Sequence, residues 1–198
     1  MKIIKHIITF LLYFPLISLA AETPDNFLKN SVEEVSSFIA QNKDQLDRDE
    51  HYLKSKVDEL VIPKLDIVLM SKIVLGKKNW LAITKQKQDR FQLAFRGLMV
   101  RTYMKSLTAF DGEKIKFLPY IPGKRSDVAK VKSVYLLSEG EIAVNYRLKL
   151  YDQSIWKVFD ISIDGISLLK NYRSDFQSHI DNNGIDDLID VLEAKIKS

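Results

Sequence analysis

The chain has 198 residues, no Cys, and 30 Lys plus Arg against 26 Asp plus Glu, a formal net charge of +4. Without Cys it has neither a disulfide framework nor a thiol nucleophile, and so small and dispersed a charge excludes an electrostatic footprint for nucleic acid. Stability must come from a hydrophobic core, which the 46% hydrophobic residues of a chain this long can supply.

Lys2 and Lys5 precede an apolar run from Ile7 to Leu19, interrupted by Pro15 and closing on Ser18-Leu19-Ala20. That pattern predicts a cleaved signal peptide over 1–20, too short and wrongly flanked to span a membrane, with no Cys behind it to take a lipid anchor. The expected mature chain, 21–198, is a single exported domain. Losing Lys2 and Lys5 leaves 28 basic against 26 acidic residues, a net charge of +2. No internal repeat, low-complexity tract or linker divides it.

Thr23-Pro24-Asp25 predicts a helix start, with Phe27, Leu28, Val32, Val35, Phe38 and Ile39 recurring at helical spacing. A polar stretch over 41–50 leads to a second helix bearing Tyr52, Leu53, Val57, Leu60 and Val61, closed by Pro63. The segment Leu65–Leu75 predicts an apolar helix ended by Gly76, and Asn79 a short capped turn through Trp80. A long helix is expected from about Lys85 to Phe110, burying Phe91, Phe95, Leu98, Met99, Thr102, Tyr103, Leu107 and Phe110. A strand or extended segment over Ile115–Ile121, interrupted by Pro119, and an exposed loop at Pro122–Ser126 follow.

Three turn signals then place four antiparallel strands in meander order. Asp164-Gly165 suits a two-residue turn with positive φ at both positions. The predicted hairpin around it runs from Trp156 to Phe176 and sets Ile161 against Leu168, Phe159 against Lys170, Lys157 against Tyr172 and Trp156 against Arg173. A four-residue turn at Tyr151–Ser154 lays Ile142–Leu150 against Ile155–Ile163, and one at Ser138–Glu141 adds the strand of Val131, Tyr135 and Leu137. Alternation gathers these three with Ile142, Val144, Tyr146, Leu148, Leu150, Ile155, Phe159, Ile161 and Ile163 on one apolar face. Lys132, Asn145, Arg147, Lys149, Trp156, Asp160, Asn171 and Arg173 take the other. Ser174 and Asp175 open a helix broken near Gly184, and Ile185, Leu188, Ile189, Leu192 and Ile196 form a last amphipathic one. The predicted class is α+β, a curved antiparallel meander of about four strands packed against several helices. The surplus of apolar side chains fills a core or lines a cavity; composition is compatible with both.

Catalytic and metal chemistry find little support. The three His residues, His6, His51 and His179, are isolated, and no nucleophile elbow, phosphate-binding loop or dinucleotide fingerprint is present. Asp160, mid-strand among apolar neighbours, is either a general base or, as expected here, a carboxylate paired with Arg147, Arg173 or a backbone donor. No catalytic residue, metal site or cofactor is expected.

The segments Val74-Leu75-Gly76-Lys77-Lys78-Asn79-Trp80 and Gln86…Phe91…Phe95…Leu98…Thr102-Tyr103 resemble the MlaC, or toluene-tolerance, family. So do Trp156-Lys157-Val158-Phe159-Asp160…Gly165-Ile166-Ser167…Asn171-Tyr172-Arg173-Ser174-Asp175-Phe176 and the closing Gly184–Ile189. Leu81 departs from the pattern, standing where that family often has Arg. The resemblance implies a periplasmic phospholipid carrier working between the inner and outer membranes, with phospholipid as cargo rather than cofactor. Its implied partners are an inner-membrane ABC transporter with an MCE-domain subunit and an outer-membrane lipoprotein–porin complex; a monomer is expected.

Acyl chains would lie between sheet and helices. The expected lining is Phe95, Leu98, Met99, Tyr103 and Leu107 from the long helix and Val144, Tyr146, Leu148, Phe159, Ile161 and Leu168 from the sheet. Lys157, the only charge on the inward face of the second and third strands, is either a solvated edge lysine or one that snorkels to the rim to meet a headgroup phosphate. The other readings are a cone-shaped α+β cavity enzyme using Asp160 and Tyr103 as an acid/base pair, and an adaptor whose apolar faces are wholly filled core.

Overall fold

The structure is a computed structural model and describes residues 22–110 and 112–197; the expected signal peptide over 1–20 lies outside the described residues. Helices α1 (Pro24–Arg48), α2 (Glu50–Lys56), α3 (Ile67–Leu75), α4 (Lys77–Ala82) and α5 (Lys85–Thr108) come first. Strands β1 (Lys114–Phe117), β2 (Val128–Leu137), β3 (Gly140–Tyr151), β4 (Ile155–Ile163) and β5 (Ile166–Ser167) follow, then α6 (Leu168–Asn183) and α7 (Ile185–Lys197). The sheet is an open, curved antiparallel meander in the order β1-β2-β3-β4-β5, so the α+β class holds, and the edge strand β1 falls on the segment expected as a strand or extended chain.

Two helical expectations change. The polar stretch 41–50 does not break the first helix, which runs on to Arg48 and turns at Asp49, whose side chain accepts from the Tyr52 N–H to start α2. The second helix loosens into a wider turn over Val57–Val61 before Ile62–Lys64. Helix α3 stops at Gly76, where φ is +77°, a conformation that favours Gly. Asn79 lies inside α4 and its side-chain amide donates to the Leu75 carbonyl.

The hairpin at Asp164-Gly165 forms with positive φ at both residues, 47° and 83°, but it is short. Only Ile163↔Ile166 and Ser162↔Ser167 pair, and α6 begins at Leu168. The expected pairs of Ile161 with Leu168, Phe159 with Lys170, Lys157 with Tyr172 and Trp156 with Arg173 are therefore not made. The reason is local. The Ser167 hydroxyl accepts from the Lys170 N–H (3.2 Å) as the cap of α6 and donates to the Asp160 carboxylate (2.9 and 3.0 Å). Asp160 also accepts the Leu169 N–H at 3.3 Å. Leu169, Tyr172, Phe176 and Ile180 recur at helical, not strand, spacing, and Leu169 and Phe176 bury.

The β3–β4 register differs too. Tyr151 pairs with Ile155, closing a three-residue loop in which Asp152 and Gln153 adopt positive φ. That one-residue shift carries Trp156 and Val158 onto the apolar face, opposite Leu150 and Leu148, and takes Lys157 off it. An extra residue at Phe159, between the pairs Leu148↔Val158 and Arg147↔Asp160, then returns Ile161 and Ile163 to the apolar face opposite Tyr146 and Val144. Between β2 and β3 the parity is as expected: Val131 opposes Tyr146 and Tyr135 opposes Ile142.

Three apolar clusters result. The sheet's apolar face, with Ala129, Val131, Val144, Tyr146, Leu148, Trp156 and Val158, packs on Leu28, Phe27 and Val32 of α1. The far half of α1 packs through Ile39 and Leu46 on Leu53, Val57, Val100 and Met104. Helices α3 to α7 share a separate core around Phe91, Phe95 and Phe176, where Phe91 and Phe95 stack at 5.9 Å and Phe176 meets both edge-on. Phe159 belongs to this core, so β4 feeds both sides.

Asp160, 5% exposed, is thus a structural carboxylate at the sheet–helix junction. Asp160→Ala would strip Ser167 and Leu169 of their acceptor and is expected to cost about 2–3 kcal/mol, with Asp160→Asn costing less. Urea unfolding midpoints of the two variants check this.

Candidate functional site: an apolar cavity under α1

Pro24 at the first position of α1 aims the helix across the sheet. Phe27, Leu28, Ser31, Val32, Val35, Ser36 and Ile39, one stripe of that helix, stand over the concave face and leave a cavity of about 300 Å³. The sheet contributes Ile115, Tyr135, Tyr146, Val158 and Ile161. The sides are Val61, Lys64 and Leu65 after α2, and Ser106, Leu107 and Phe110 at the end of α5.

Its electrostatics are spare. The hydroxyls of Tyr135 and Tyr146 bond to each other at 2.9 Å. Burial pushes both hydroxyls upward, Tyr146 well above the usual phenol range, where its Tyr135 partner adds to the effect, so neither ionises near neutral pH. Lys64 is the single cation among the lining residues, and its ammonium meets the Glu34 carboxylate of α1 at 2.7 Å. Both side chains keep water contact, 25% and 53% exposed, which places the pair at the rim. Among the described residues no group of three or more His, Cys, Asp or Glu could hold a metal ion.

The near end of α1 is tied down on two sides. The Trp156 indole donates to the Glu22 carbonyl at 2.8 Å, and the Tyr120 N–H donates to the Asp25 carboxylate at 3.3 Å. Burial alone would raise the Asp25 carboxyl; hydrogen bonds from the Thr23 side chain and the Tyr120 N–H outweigh it and hold it below the usual Asp range.

Of the residues expected to line a cavity, the structure brings Leu107, Tyr146 and Ile161 together here. Val144 and Leu148 lie in the same packed face beside the lining. Phe95, Leu98, Met99 and Phe159 are instead in the helical core, and Leu168 is the half-buried first residue of α6. Tyr103, 39% exposed, bonds to Tyr172, while the Asp160 carboxylate is held by Ser167 and Leu169; the acid/base pair shares no partner. Lys157 sits on the sheet's other face opposite Lys149. Arg173 is also far from Trp156 in role: on α6 it donates to the Ile73 carbonyl at 3.3 Å. The α1 stripe was readable as an amphipathic helix, but no local signal says which helix covers the sheet. Val158 was misplaced by the register shift, and nothing in the sequence singled out Lys64.

The described residues define an α+β protein, an open antiparallel meander roofed by a helix over a largely apolar cavity. The MlaC protein family model matches residues 29–194, and the chain belongs to that family. Toluene tolerance protein ttg2D of Pseudomonas putida is 24% identical over 185 residues, spanning 92% of this chain and 84% of its own. The intermembrane phospholipid transport system binding protein MlaC of Haemophilus influenzae is 21% identical over 193 residues, 94% of this chain and 90% of its own. The phospholipid-binding protein from Ralstonia solanacearum, solved in complex with a phospholipid, shares the fold with a TM-score of 0.78 at 24% identity, over 86% of this chain and 97% of that one.

The Asp25 tether predicts a pH dependence. Its carboxyl titrates lower folded than unfolded, so its contribution is complete above the unfolded value of about 3.9 and is lost as pH falls through the folded one. The gap in melting temperature between the native chain and Asp25→Asn should be flat from about pH 5 to 7 and close below about pH 4. Calorimetry across that range measures it.

Proposed function

We propose that this chain is a periplasmic phospholipid-binding carrier, not an enzyme, serving exchange between the inner and outer membranes and so the lipid asymmetry of the outer one. The observation that carries the reading is the cavity: apolar on the sheet and on α1, free of buried charge, with its one cation paired at the rim. Family membership and the functions named for the relatives support it. The family resemblance implies an ABC transporter with an MCE-domain subunit and a lipoprotein–porin complex as the membrane partners, and export by the N-terminal signal.

The energetics suit a shuttle. Each buried methylene is worth about 0.8 kcal/mol, in protein as in bilayer, so transfer is near-balanced only where the protein interior is equally dry and uncharged. A volume of about 300 Å³ is at the low end of the roughly 300–1,000 Å³ of pockets that hold drug-sized ligands, less than the two chains of a diacyl lipid need. Loading therefore moves a wall. The sheet is held by continuous ladders, whereas the near half of α1 meets it only through side chains, the packing of Phe27, Leu28 and Val32 and the bonds at Glu22, Asp25 and Glu34. Helix α1 is the wall that lifts.

Native mass spectrometry of freshly purified protein should show co-purified phospholipid. Ile161→Trp and Val32→Trp, which put an indole into the cavity, should lower lipid per protein by roughly half or more while circular dichroism holds. Unchanged lipid in both variants would remove this cavity as the cargo site. Hydrogen exchange gives a second check: amides of α1 over 24–39 should exchange faster than those of β3 and slow on lipid loading, with β3 unmoved.

A further inference from the structure

We propose that the face built from the end of α3, α4 and the start of α6 is a docking surface for an anionic phospholipid bilayer. Lys72, Lys77 and Arg173 line a groove there of about 310 Å³ with Ile73, Trp80 and Leu81, and no carboxylate lines it. Lys170 and Arg173 line the adjoining groove along α6, whose one carboxylate, Asp181, accepts from the Gln177 amide at 2.7 Å. None of Lys72, Lys77, Lys170 and Arg173 forms an ion pair among the described residues. On α5, by contrast, Lys85, Lys87, Arg90 and Arg96 are all paired with carboxylates. The cations of this face thus stand without a carboxylate counter-charge, unlike those of α5.

The surroundings fit a lipid surface. Leu81 projects with 68% exposure beside the cations, and Val68, 46% exposed, lies one turn before Lys72 on α3. The Lys72 ammonium rests 5.7 Å from the Trp80 ring centroid, and Arg173 is braced against the Ile73 carbonyl and the backbone of Gly76. Cations around a protruding aliphatic side chain are the pattern of an interfacial contact. Three of the four are lysines, flexible point charges suited to a diffuse anionic surface, where an acidic protein partner would favour the fixed fork of Arg. Each cation brought to an anionic leaflet raises partitioning by about fivefold.

No residue of this face lines the cavity, so docking and cargo binding are separable. The purified protein is sedimented with vesicles of phosphatidylcholine, alone or mixed equally with phosphatidylglycerol. Binding is expected only to the mixed vesicles and should fall steeply with salt. The double substitution Lys72→Glu/Lys77→Glu should weaken it by at least about 20-fold, with melting temperature and co-purified lipid unchanged. Lys72→Gln/Lys77→Gln serves if the reversal does not fold. Lys124→Glu/Lys130→Glu, the same charge change on the exposed 122–126 loop and on β2, should bind like the native protein. Equal binding to both vesicle types, or equal loss in both double variants, overturns the proposal, as does retention on neither vesicle, whatever acidic protein engages the face. Loss of cargo with docking intact would count against the carrier reading alone.

Discussion

Strand β4 carries one residue more than β3 between the pairs Leu148↔Val158 and Arg147↔Asp160, and the two halves of the molecule meet at that surplus. Before it, Trp156 and Val158 face α1 and the cavity. At it, Phe159 turns into the helical core, with the Arg147 guanidinium over its ring at 4.7 Å. Just past it, Asp160 receives Ser167 and Leu169 and so ends the sheet and starts α6. The backbone there has a further partner, since the Asp66 N–H donates to the Val158 carbonyl at 2.8 Å and Asp66 also caps α3 through Leu69. A bulge thus lets one strand serve the sheet's apolar face, the helical core and two helix starts.

The second constraint is dryness. For the proposed carrier, an interior that matches a bilayer requires polar groups inside to be mutually satisfied and uncharged. The Tyr135–Tyr146 hydroxyl pair meets that condition, and the Lys64–Glu34 pair meets it by standing at the rim. That rim pair also joins α1 to the segment before α3, coupling the charge balance of the mouth to the position of the roof.

The helical core on the other side, with its stacked and edge-on aromatic rings, packs α3 and α5 into one body with α6 and α7. The roof helix instead splits its length, half over the sheet and half over α2 and the end of α5. Its polar stretch over 41–50 is helical because α1 continues to Leu46, which buries against Leu53 and Val57.

What the sequence determined by itself was whatever local physics specifies. The Asp164-Gly165 turn follows from positive φ, the stop of α3 from Gly76, and the shared face of Val131, Tyr135, Ile142 and Tyr146 from strict alternation. The family was readable from motifs around Trp80 and Trp156. Tertiary structure decided the rest, because each remaining choice depends on a partner distant in the chain. The bulge at Phe159 is set by what packs on either side of β4. The early start of α6 depends on Asp160 reaching across the turn to Ser167. The choice of α1 over α5 as the cavity's roof depends on which of two amphipathic stripes meets the sheet, and periodicity describes a stripe without naming what it faces.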